Sequence, residues 1–569
     1  MAKKSSLRII FLGGLNEVGR NMTIFEKDNN IVVIDCGIMF PDDYLPGIDF
    51  LIPDFSFLKN NESKIKAIIM THGHEDHIGA IPYLFREIKF LTIPIYATKL
   101  TLGLLKSKVE ENFGKVNFFY NEINTDKKLA IGPFEFEFFR VNHSIPDNVG
   151  LIIRTDIGTI VHSGDFKFDQ YPIDGVATEF SKISKAGQEK VLALLCDSTN
   201  AEEEGFSLPE REVGKTLYEK FAQADKRIVV ATFSSHIHRI QQVFDTAKSL
   251  GKKVAITGRT MLKTVRIASE LGFLKIPEET IIPITKIDEF PIKKIVLLST
   301  GSQGEPLSSL RKMAMGEHPK VIMMQGDMVI ISASPIPGNE NAVSSTINLL
   351  LKQGADVFYE SIAGVHVSGH AQREEIKMLI NLVKPKYFIP VHGEYKHRKQ
   401  NAKLAQSIGI KESNIILAQN GDILKLNESV CRISKNLNLQ NIYVDGTGSG
   451  NTEDIVLKDR KNLSRNGIIF LVVSINSKNK EIYGTPEFIF KGIIFINNFN
   501  EIIDEARQLA EETIKRCINE NLTNKPMIES SLREALEKYF FKKIHIKPII
   551  ISKVLDYAAV DLQNKYFVK

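Results

Sequence analysis

Residues 71–79 read Thr71-His72-Gly73-His74-Glu75-Asp76-His77-Ile78-Gly79, and this stretch decides how the rest of the chain is interpreted. It follows Ala67–Met70, an apolar run typical of a buried strand. The loop supplies imidazole and carboxylate groups, which are the ligands that zinc prefers. We expect His72 and His74 to face one ion, and Asp76 and His77 to face a second. The alternative is a chance cluster of histidines on a polar loop.

Two ions need more ligands than one loop offers, and the same order of apolar strand, polar side chain and Gly or Pro recurs along the chain. The further candidates are His143 after 134–141, Asp165 after 159–162 and His392 after 387–391. Asp165 is the candidate for touching both ions, because a carboxylate is the usual bridge between two cations. Asp35 is expected to support the loop as a hydrogen-bond acceptor rather than to bind metal. A purely structural role is the alternative for each of the three further candidates.

The composition limits the class of protein. With 569 residues, 43% of them hydrophobic and 25% charged, the chain is typical of a globular protein with several domains. A net charge of +5 excludes a histone-like binder held by bulk charge alone. Four widely separated cysteines exclude a disulfide framework or a cysteine zinc knuckle. No apolar run approaches the length of a membrane span and no signal peptide is recognised, so we expect a cytoplasmic protein with no membrane contact.

The pattern of predicted strands and helices changes along the chain. Short strands and turns fill the first 206 residues, whereas strand–helix alternation from 207 predicts a parallel sheet. The strand-then-ligand pattern returns at 366, so 207–365 is predicted to be an insertion. The predicted parts are an interrupted domain (1–206 and 366–428), the insertion (207–365), a polar connector (429–462) and a C-terminal domain for oligomerisation (463–569).

Motifs along nearly the whole chain carry a resemblance to a known family. The ligand set, in its order, resembles that of the metallo-β-lactamase superfamily. The remaining motifs look like ribonuclease J, in the bacterial β-CASP branch of that superfamily. These motifs are 12–21 (LGGLNEVGRN), 143–147 (HSIPD), 164–169 (GDFKFD), 197–200 (DSTN), 300–306 (TGSQGEP), 334–339 (SPIPGN), 366–370 (HVSGH) and 390–394 (PVHGE). The resemblance implies an α/β fold: a metallo-β-lactamase αββα sandwich with a metal pair at one edge, an inserted β-CASP parallel-sheet domain and a small α+β C-terminal domain.

A pocket for phosphate is expected from two segments. His366-Val367-Ser368-Gly369-His370 offers two imidazoles, a hydroxyl and an open backbone. In the family the matching segment binds substrate phosphate and its second histidine lies near the metals. Ser234-Ser235-His236, at the start of a predicted helix, is the second wall because free backbone N–H groups there favour anions. The alternative for this wall is a plain helix cap with an exposed histidine.

Some members of the family also hold calcium away from the catalytic centre. The matching positions are Gly47, Asp49 and Asp445, whose oxygens suit a hard cation. Three oxygens are too few alone, so a structural role for these residues is the alternative.

The resemblance implies a zinc-dependent ribonuclease with two Zn²⁺ per chain. In this reading Asp76 orients the attacking hydroxide, and Asp76 with His370 manages the protons. Family members cut RNA internally and digest it from a 5′-monophosphorylated end, in RNA maturation and mRNA decay. Since 366–370 contains no Lys or Arg, we expect a monophosphate to be accepted better than a triphosphate. The implied partners are RNA and further subunits, in a homodimer, a homotetramer or a mixed complex with a paralogue.

Two other functions compete with this one. A hydrolase of small substrates would share the chemistry of residues 71–79, but it would lack the insertion and the Val-His-Gly-Glu segment after it. A non-catalytic RNA-binding or assembly subunit would not need all seven candidate metal ligands. Zinc quantification together with a labelled RNA assay separates the three.

Overall fold

The computed structural model describes residues 6–41, 45, 47–305, 307–336, 338–446, 448–450, 454–476, 478–493, 499–520, 522 and 524–557. It divides the chain into two compact units. The first consists of Met1–Asp42 with Asp49–Gly450, and the second of Asp43–Ile48 with Asn451–Lys569. The two units are described separately below.

The strands are short and mostly apolar. In chain order they are Leu7–Gly13 (β1), Met22–Lys27 (β2), Asn30–Ile34 (β3), Phe50–Ile52 (β4), Ile65–Ile69 (β5), Ile95–Ala97 (β6), Tyr120–Glu122 (β7), Leu129–Ile131 (β8), Phe134–Arg140 (β9), Val149–Thr155 (β10), Gly158–His162 (β11), Val191–Asp197 (β12), Ile228–Ala231 (β13), Lys253–Thr257 (β14), Ile281–Ile282 (β15), Ile295–Ser299 (β16), Met328–Ile331 (β17), Asp356–Phe358 (β18), Tyr387–Val391 (β19), Asp422–Leu426 (β20), Cys431–Asn436 (β21), Ile442–Asp445 (β22), Gly448–Gly450 (β23), Ile468–Asn476 (β24), Glu481–Lys491 (β25) and Ile549–Asp556 (β26).

The helices alternate with these strands. They are Ser56–Lys59 (α1), Glu75–Ile78 (α2), Ile81–Glu87 (α3), Lys99–Phe113 (α4), Phe180–Gln188 (α5), Arg211–Gln223 (α6), Ile237–Ser249 (α7), Arg259–Glu270 (α8), Ser309–Met315 (α9), Glu340–Lys352 (α10), Glu360–Ala363 (α11), Arg373–Val383 (α12), Tyr395–Ser407 (α13), Asp454–Asn466 (α14), Phe499–Asn519 (α15) and Lys525–Ile544 (α16). Within the described parts of the chain, none of them combines the length and the apolar character that crossing a bilayer requires.

Two sheets of the first unit pack face to face. Their strand orders are β21-β20-β1-β2-β3-β5-β6-β7 and β19-β12-β11-β10-β9-β8. Inward side chains such as Phe11, Val32 and Phe136 form the core between them. Helices α3 and α4 cover the outer face of the first sheet, and α5, α12 and α13 cover that of the second. The predicted αββα sandwich is therefore confirmed.

A third sheet lies in the part of the chain between the two halves of the sandwich. Its order is β15-β14-β16-β13-β17-β18, and every described pairing in it is parallel. Helices α6, α7 and α8 cover one face, and α9 and α10 cover the other. Because both faces are covered, strands such as β13 are buried at every residue, which explains their continuous apolar sequence. The inserted parallel sheet is confirmed, while its boundaries at 207 and 365 stay predictions.

The second unit is a small α+β domain, as expected. Its sheet has the order β25-β24-β26, and α15 and α16 pack on one face against Ile469, Leu471 and Val554. On other positions of the same sheet, Ile489 and Ile551 are 51% and 44% exposed. Residues 558–569 of the predicted domain lie outside the described residues.

The segment 429–462, predicted as a connector, contains regular structure. Strand β21 extends the first sheet, and β22 and β23 form a three-stranded sheet with β4. Of the six residues of β21 only Cys431 is buried. An edge strand with polar, exposed side chains has no apolar alternation, so its sequence does not differ from that of a loop.

Candidate functional site

The seven predicted metal ligands lie at one edge of the sandwich because the strands before them end there. His72 and His74 lie between β5 and α2, whereas His143, Asp165 and His392 follow β9, β11 and β19. Strands β11, β12 and β19 are parallel neighbours, so their carboxyl ends meet at the same edge. Asp76 and His77 reach this edge from the short helix α2.

Three of the histidines form a first group. The Nδ1 of His74 lies 3.0 Å from the Nε2 of His72 and 3.1 Å from the Nε2 of His143. Burial lowers the pKa of His72 and His143 well below the ordinary value, and lowers the pKa of His74 to about 4. The rings are therefore neutral at pH 7. Their converging nitrogens form a donor set that a cation such as zinc would satisfy.

Asp76, His77, Asp165 and His392 form a second group, whose ligand atoms lie within 4.8 Å of one another. The Oδ2 of Asp165 is 3.1 Å from the Nε2 of His77 and 3.2 Å from the Nε2 of His392. The same oxygen is 3.7 Å from the Nε2 of His72 and 3.8 Å from the Nε2 of His143. Asp165 thus lies where the sequence analysis expects a bridge, between the two groups.

Hydrogen bonds to the far side of the rings fix which nitrogen faces the cluster. Asp35 accepts hydrogen bonds from the backbone N–H of Thr71 (2.8 Å), the Thr71 hydroxyl (2.9 Å) and the Nδ1 of His77 (2.8 Å). The supporting role expected for Asp35 is confirmed. The Nδ1 of His143 donates to the carbonyl of Gly369 at 2.6 Å. Such contacts set the tautomer and leave Nε2 for a metal.

Sequence analysis missed the partner of His370. The Nδ1 of His370 lies 2.7 Å from the Oδ2 of Asp197, the last residue of β12. Burial lowers the pKa of His370, but the Asp197 carboxylate outweighs it and holds the pKa above the ordinary value. The signal was present, since Asp197 follows an apolar strand just as Asp165 does.

The structure brings the two predicted phosphate-binding segments together. The ring of His236 lies 6.3 Å from that of His366, between centroids, and Ser234 and Ser235 lie half-buried in the turn before α7. Both nitrogens of His236 and the Nδ1 of His366 are buried and have no hydrogen-bond partner among the described residues. Unpartnered buried nitrogens of this kind are rare and suit a polar ligand. The alternative of an exposed histidine is wrong, since His236 is 1% exposed.

The segment 366–370 is held from both sides. The Ser368 hydroxyl oxygen accepts hydrogen bonds from the Asn200 amide (2.7 Å) and the backbone N–H of His370 (3.2 Å). Val367 is 5% exposed. A Cβ at Gly369 would lie 2.7 Å from the Nδ1 of His143, so a side chain there would displace a ring of the cluster.

Two cations from outside this segment, Arg239 and Lys167, lie near His366. Burial first, and then the charges of Arg239 and Lys167, lower the pKa of His366 to about 3. The Arg239 guanidinium donates to Glu210 at 2.8 Å and to the carbonyl of Val365 at 2.8 Å. These cations could not be found from 366–370 alone, because they lie far away in sequence. Glu210 is ion-paired with Arg239, so Arg239 adds little net charge near His366.

The predicted calcium residues lie in both units. In the first unit, the Asp49 carboxylate accepts a hydrogen bond from the Gly446 N–H at 2.8 Å, next to Asp445 at the end of β22. In the second unit, the carbonyl of Gly47 accepts a hydrogen bond from Arg460 at 2.9 Å. Calcium binding stays a prediction.

Family comparisons cover most of the chain. Residues 15–193 match the metallo-beta-lactamase superfamily and 225–350 match the ribonuclease J beta-CASP domain. Residues 357–416 match the Zn-dependent metallo-hydrolase RNA specificity domain, and 455–557 match the ribonuclease J C-terminal domain.

Full-length relatives agree with these matches. The chain is 40% identical to ribonuclease J of Thermus thermophilus, over 97% of this chain and 95% of the relative. It is 38% identical to ribonuclease J 1 of Streptococcus pyogenes, over 97% and 98% of the two chains. It is 36% identical to ribonuclease J2 of Bacillus subtilis, over 98% and 100%. A solved Enterococcus faecalis protein of unknown function shares the fold alone, with a TM-score of 0.52 at 14% identity over 74% of this chain and all of that one. The chain therefore belongs to the ribonuclease J family, within the metal-dependent hydrolases of the metallo-β-lactamase superfamily.

Proposed function

We propose that this protein is a zinc-dependent ribonuclease that digests RNA from a 5′-monophosphorylated end and also cuts internally. It would act in the cytoplasm, in RNA maturation and mRNA decay. One observation carries the proposal: the Oδ2 of Asp165 lies within 3.8 Å of nitrogens from both groups of metal-ligand atoms, and the neighbouring His236 and His366 have buried nitrogens without a hydrogen-bond partner among the described residues. The first feature suits phosphodiester hydrolysis, and the second suits a phosphate.

The ligand sets suit two zinc ions. His72, His74 and His143 would hold one ion, and Asp76, His77 and His392 would hold the other, with Asp165 between them. When bound, such ions supply an acidified water and Lewis-acid stabilisation of charge on the phosphate. Neutral imidazoles with a bonded far nitrogen are the form in which histidine binds zinc.

Two side chains would handle protons. The side chain of Asp76 is 30% exposed, so it can accept a hydrogen bond from the attacking water and orient it. Asp197 holds the pKa of His370 above its ordinary value, which suits His370 to donate a proton to the leaving 3′ oxygen. The products would then carry a 5′-phosphate and a 3′-hydroxyl.

The pocket would recognise the end of the RNA. Both acceptor positions of the Ser368 hydroxyl are used by Asn200 and His370, so its proton is left to donate to a phosphate oxygen. Ser234, Ser235, His236 and residues 366–370 would surround that phosphate. A triphosphate brings more charge than these residues, which include no Lys or Arg, can balance.

The proposed partners of the protein are RNA and further subunits. RNA is the substrate, and the second unit would join copies of the chain through sheet positions such as Ile489 and Ile551, which are exposed and apolar. A homodimer, a homotetramer and a mixed complex with a paralogue are the assemblies to distinguish. Calcium at Asp49 and Asp445 is a separate proposal for structural support.

One experiment tests the activity. Zinc per chain is quantified, and a single RNA is assayed with a 5′-monophosphate, a 5′-triphosphate or a 5′-hydroxyl. We expect about two zinc ions per chain. End-dependent digestion should be fastest from the monophosphate, and internal cleavage should be indifferent to the end. A protein with two zinc ions and no action on any RNA would overturn the proposal.

A further inference from the structure

Arg398, on α13, is a buried cation whose three hydrogen-bond acceptors are all neutral. It is 0% exposed. Its Nε donates to the carbonyl of Pro390 at 2.8 Å, its Nη1 to the Asn16 side chain at 2.5 Å and its Nη2 to the carbonyl of Ala418 at 2.6 Å. Burial lowers its pKa to about 10, which leaves it charged at pH 7. The Asp422 carboxylate favours the charge through space but accepts none of these hydrogen bonds. Burying a guanidinium against neutral oxygens is costly, so the arrangement calls for a reason.

The three acceptors surround the turn that carries His392. Pro390 lies two residues before it on β19. The loop with Asn16 supplies two more bonds, since the carbonyl of Gly14 accepts from the N–H of His392 (3.0 Å) and that of Glu17 accepts from Gly393 (3.1 Å). His392 itself has a φ of +50°, in the left-handed region that residues other than glycine adopt only uncommonly.

The ring of His392 differs from the other metal-facing rings. The far nitrogens of His72, His77 and His143 lie against the Thr71 hydroxyl, the Asp35 carboxylate and the Gly369 carbonyl. The Nδ1 of His392 has no such partner among the described residues. Its direction therefore depends on its backbone.

From these contacts we infer that Arg398 is a positioning residue for His392, and through it for the ion held by Asp76, His77 and His392. The inference rests on the proposed function, because it needs a metal pair. Arg398 touches no ligand atom of the cluster. It binds the carbonyl of Pro390 and the Asn16 loop, whose carbonyls in turn bind the N–H groups of His392 and Gly393. The His392 ring, whose Nδ1 has no partner among the described residues, is thereby pointed at Asp165.

The test measures zinc affinity in the full chain, by titration against a chromophoric zinc chelator. Variants R398K and R398M are compared with wild type, with H392A to mark the second ion. Lysine keeps the charge but cannot bond three acceptors at once. The matched control is R227K, because Arg227 is also buried (5% exposed) but lies at the start of β13, against Asp327 and the carbonyl of Ile322. Thermal unfolding is recorded for every variant.

We expect R398K and R398M to weaken one zinc by about 10- to 100-fold and to leave the other almost unchanged. H392A should lose the same ion, and R227K should keep both affinities. In RNA assays, kcat of R398K should fall while KM stays near the wild-type value. If R398K and R398M fail to fold, N16G removes one acceptor from an exposed loop position and should weaken the same ion by less. Glycine also tolerates the positive φ of Asn16 (63°).

Two results would overturn the inference: wild-type affinity for both ions in a folded R398K, or equal weakening of both. If R398K and R398M do not fold, an N16G protein with unchanged zinc affinities would overturn it as well. A wild-type protein that binds fewer than two zinc ions overturns the proposed function instead, whatever the variants do.

Discussion

At the edge of the sandwich, the far nitrogen of His77 or His143 is bonded to the protein, whereas the neighbouring pocket leaves both nitrogens of His236 and the Nδ1 of His366 without a described partner. The two regions touch, since the His143 ring is bonded to Gly369. In the cluster, bonds to the far nitrogens of His72, His77 and His143 orient these rings for a cation, and His392 is the exception among the described residues. In the pocket the protein leaves polar groups for the ligand to satisfy. Changes in the cluster should therefore alter the chemistry, and changes in the pocket should alter the choice of RNA end.

The largest effect is expected from H74A. Removing a nitrogen shared by both neighbours in the first group should lower RNA hydrolysis by roughly 10³-fold or more, because several kcal/mol of charge stabilisation is lost. RNA binding should stay within a few-fold, since it depends on contacts spread along the RNA. Single-turnover cleavage and filter binding measure the two quantities. Control variant H318A replaces a buried histidine bonded to Thr257 in the inserted domain. A parallel loss of binding and cleavage in H74A would contradict the division between the regions.

A smaller effect is expected from D197N. The amide keeps the shape beside His370 but removes the charge that raises its pKa, so kcat should fall by about 10²-fold. The alkaline limb of the pH–rate profile should move to lower pH, because His370 would then lose its proton earlier. D327N is the control, as Asp327 is a buried carboxylate paired with Arg227. An unchanged profile in D197N would argue that His370 is not the proton donor.

S368A should change only the preference for the 5′ end of the RNA. Losing the Ser368 hydroxyl donor should reduce the preference for a 5′-monophosphate by about 1.5–3 kcal/mol at most, the value of a hydrogen bond to a charged group. Internal cleavage should not change. Decay of the same RNA with monophosphate and hydroxyl ends gives the ratio. S434A, which removes a hydroxyl bonded to the carbonyl of Ile423, is the control. A retained preference would place the end-binding site elsewhere.

The smallest effect is expected from a change of pH, which should leave the preference for a 5′-monophosphate almost unchanged. Burial, with Arg239 and Lys167, lowers the pKa of His366 to about 3, so the ring stays neutral throughout the assay range. A neutral ring predicts that the monophosphate preference changes by less than about two-fold between pH 7 and 9. A preference that falls steeply as the pH rises would mean that an imidazolium binds the phosphate.

The cluster of candidate metal ligands could be predicted because these residues follow strands that the sequence itself indicates. His143, Asp165 and His392 all come directly after apolar runs, and parallel strands bring such ends to one edge. Asp197 also follows an apolar strand, but the sequence around it gives no indication that His370 is its partner. That contact joins segments far apart in the sequence.

Other features leave no local trace. Strand β21 exposes nearly all its side chains, so its pairing with β20 is not visible in its pattern. The cation behind the pocket, Arg239, is one of many arginines until the fold places it beside Val365 and Glu210. Arg398 is similar, because three backbone and side-chain oxygens from distant loops define its role.

Strands β12 and β19 pair in parallel at one edge of the second sheet, although the whole inserted domain separates them in sequence. During synthesis, the ribosome releases six of the seven ligands well before His392. Before β19 can pair with β12, the chain must also close a loop across the whole insertion, and such non-local pairing is slow. A nascent chain that has not yet delivered β19 therefore lacks one of the four ligands of the second group. The order of the chain delays completion of the second ligand group until nearly all of the first unit has left the ribosome.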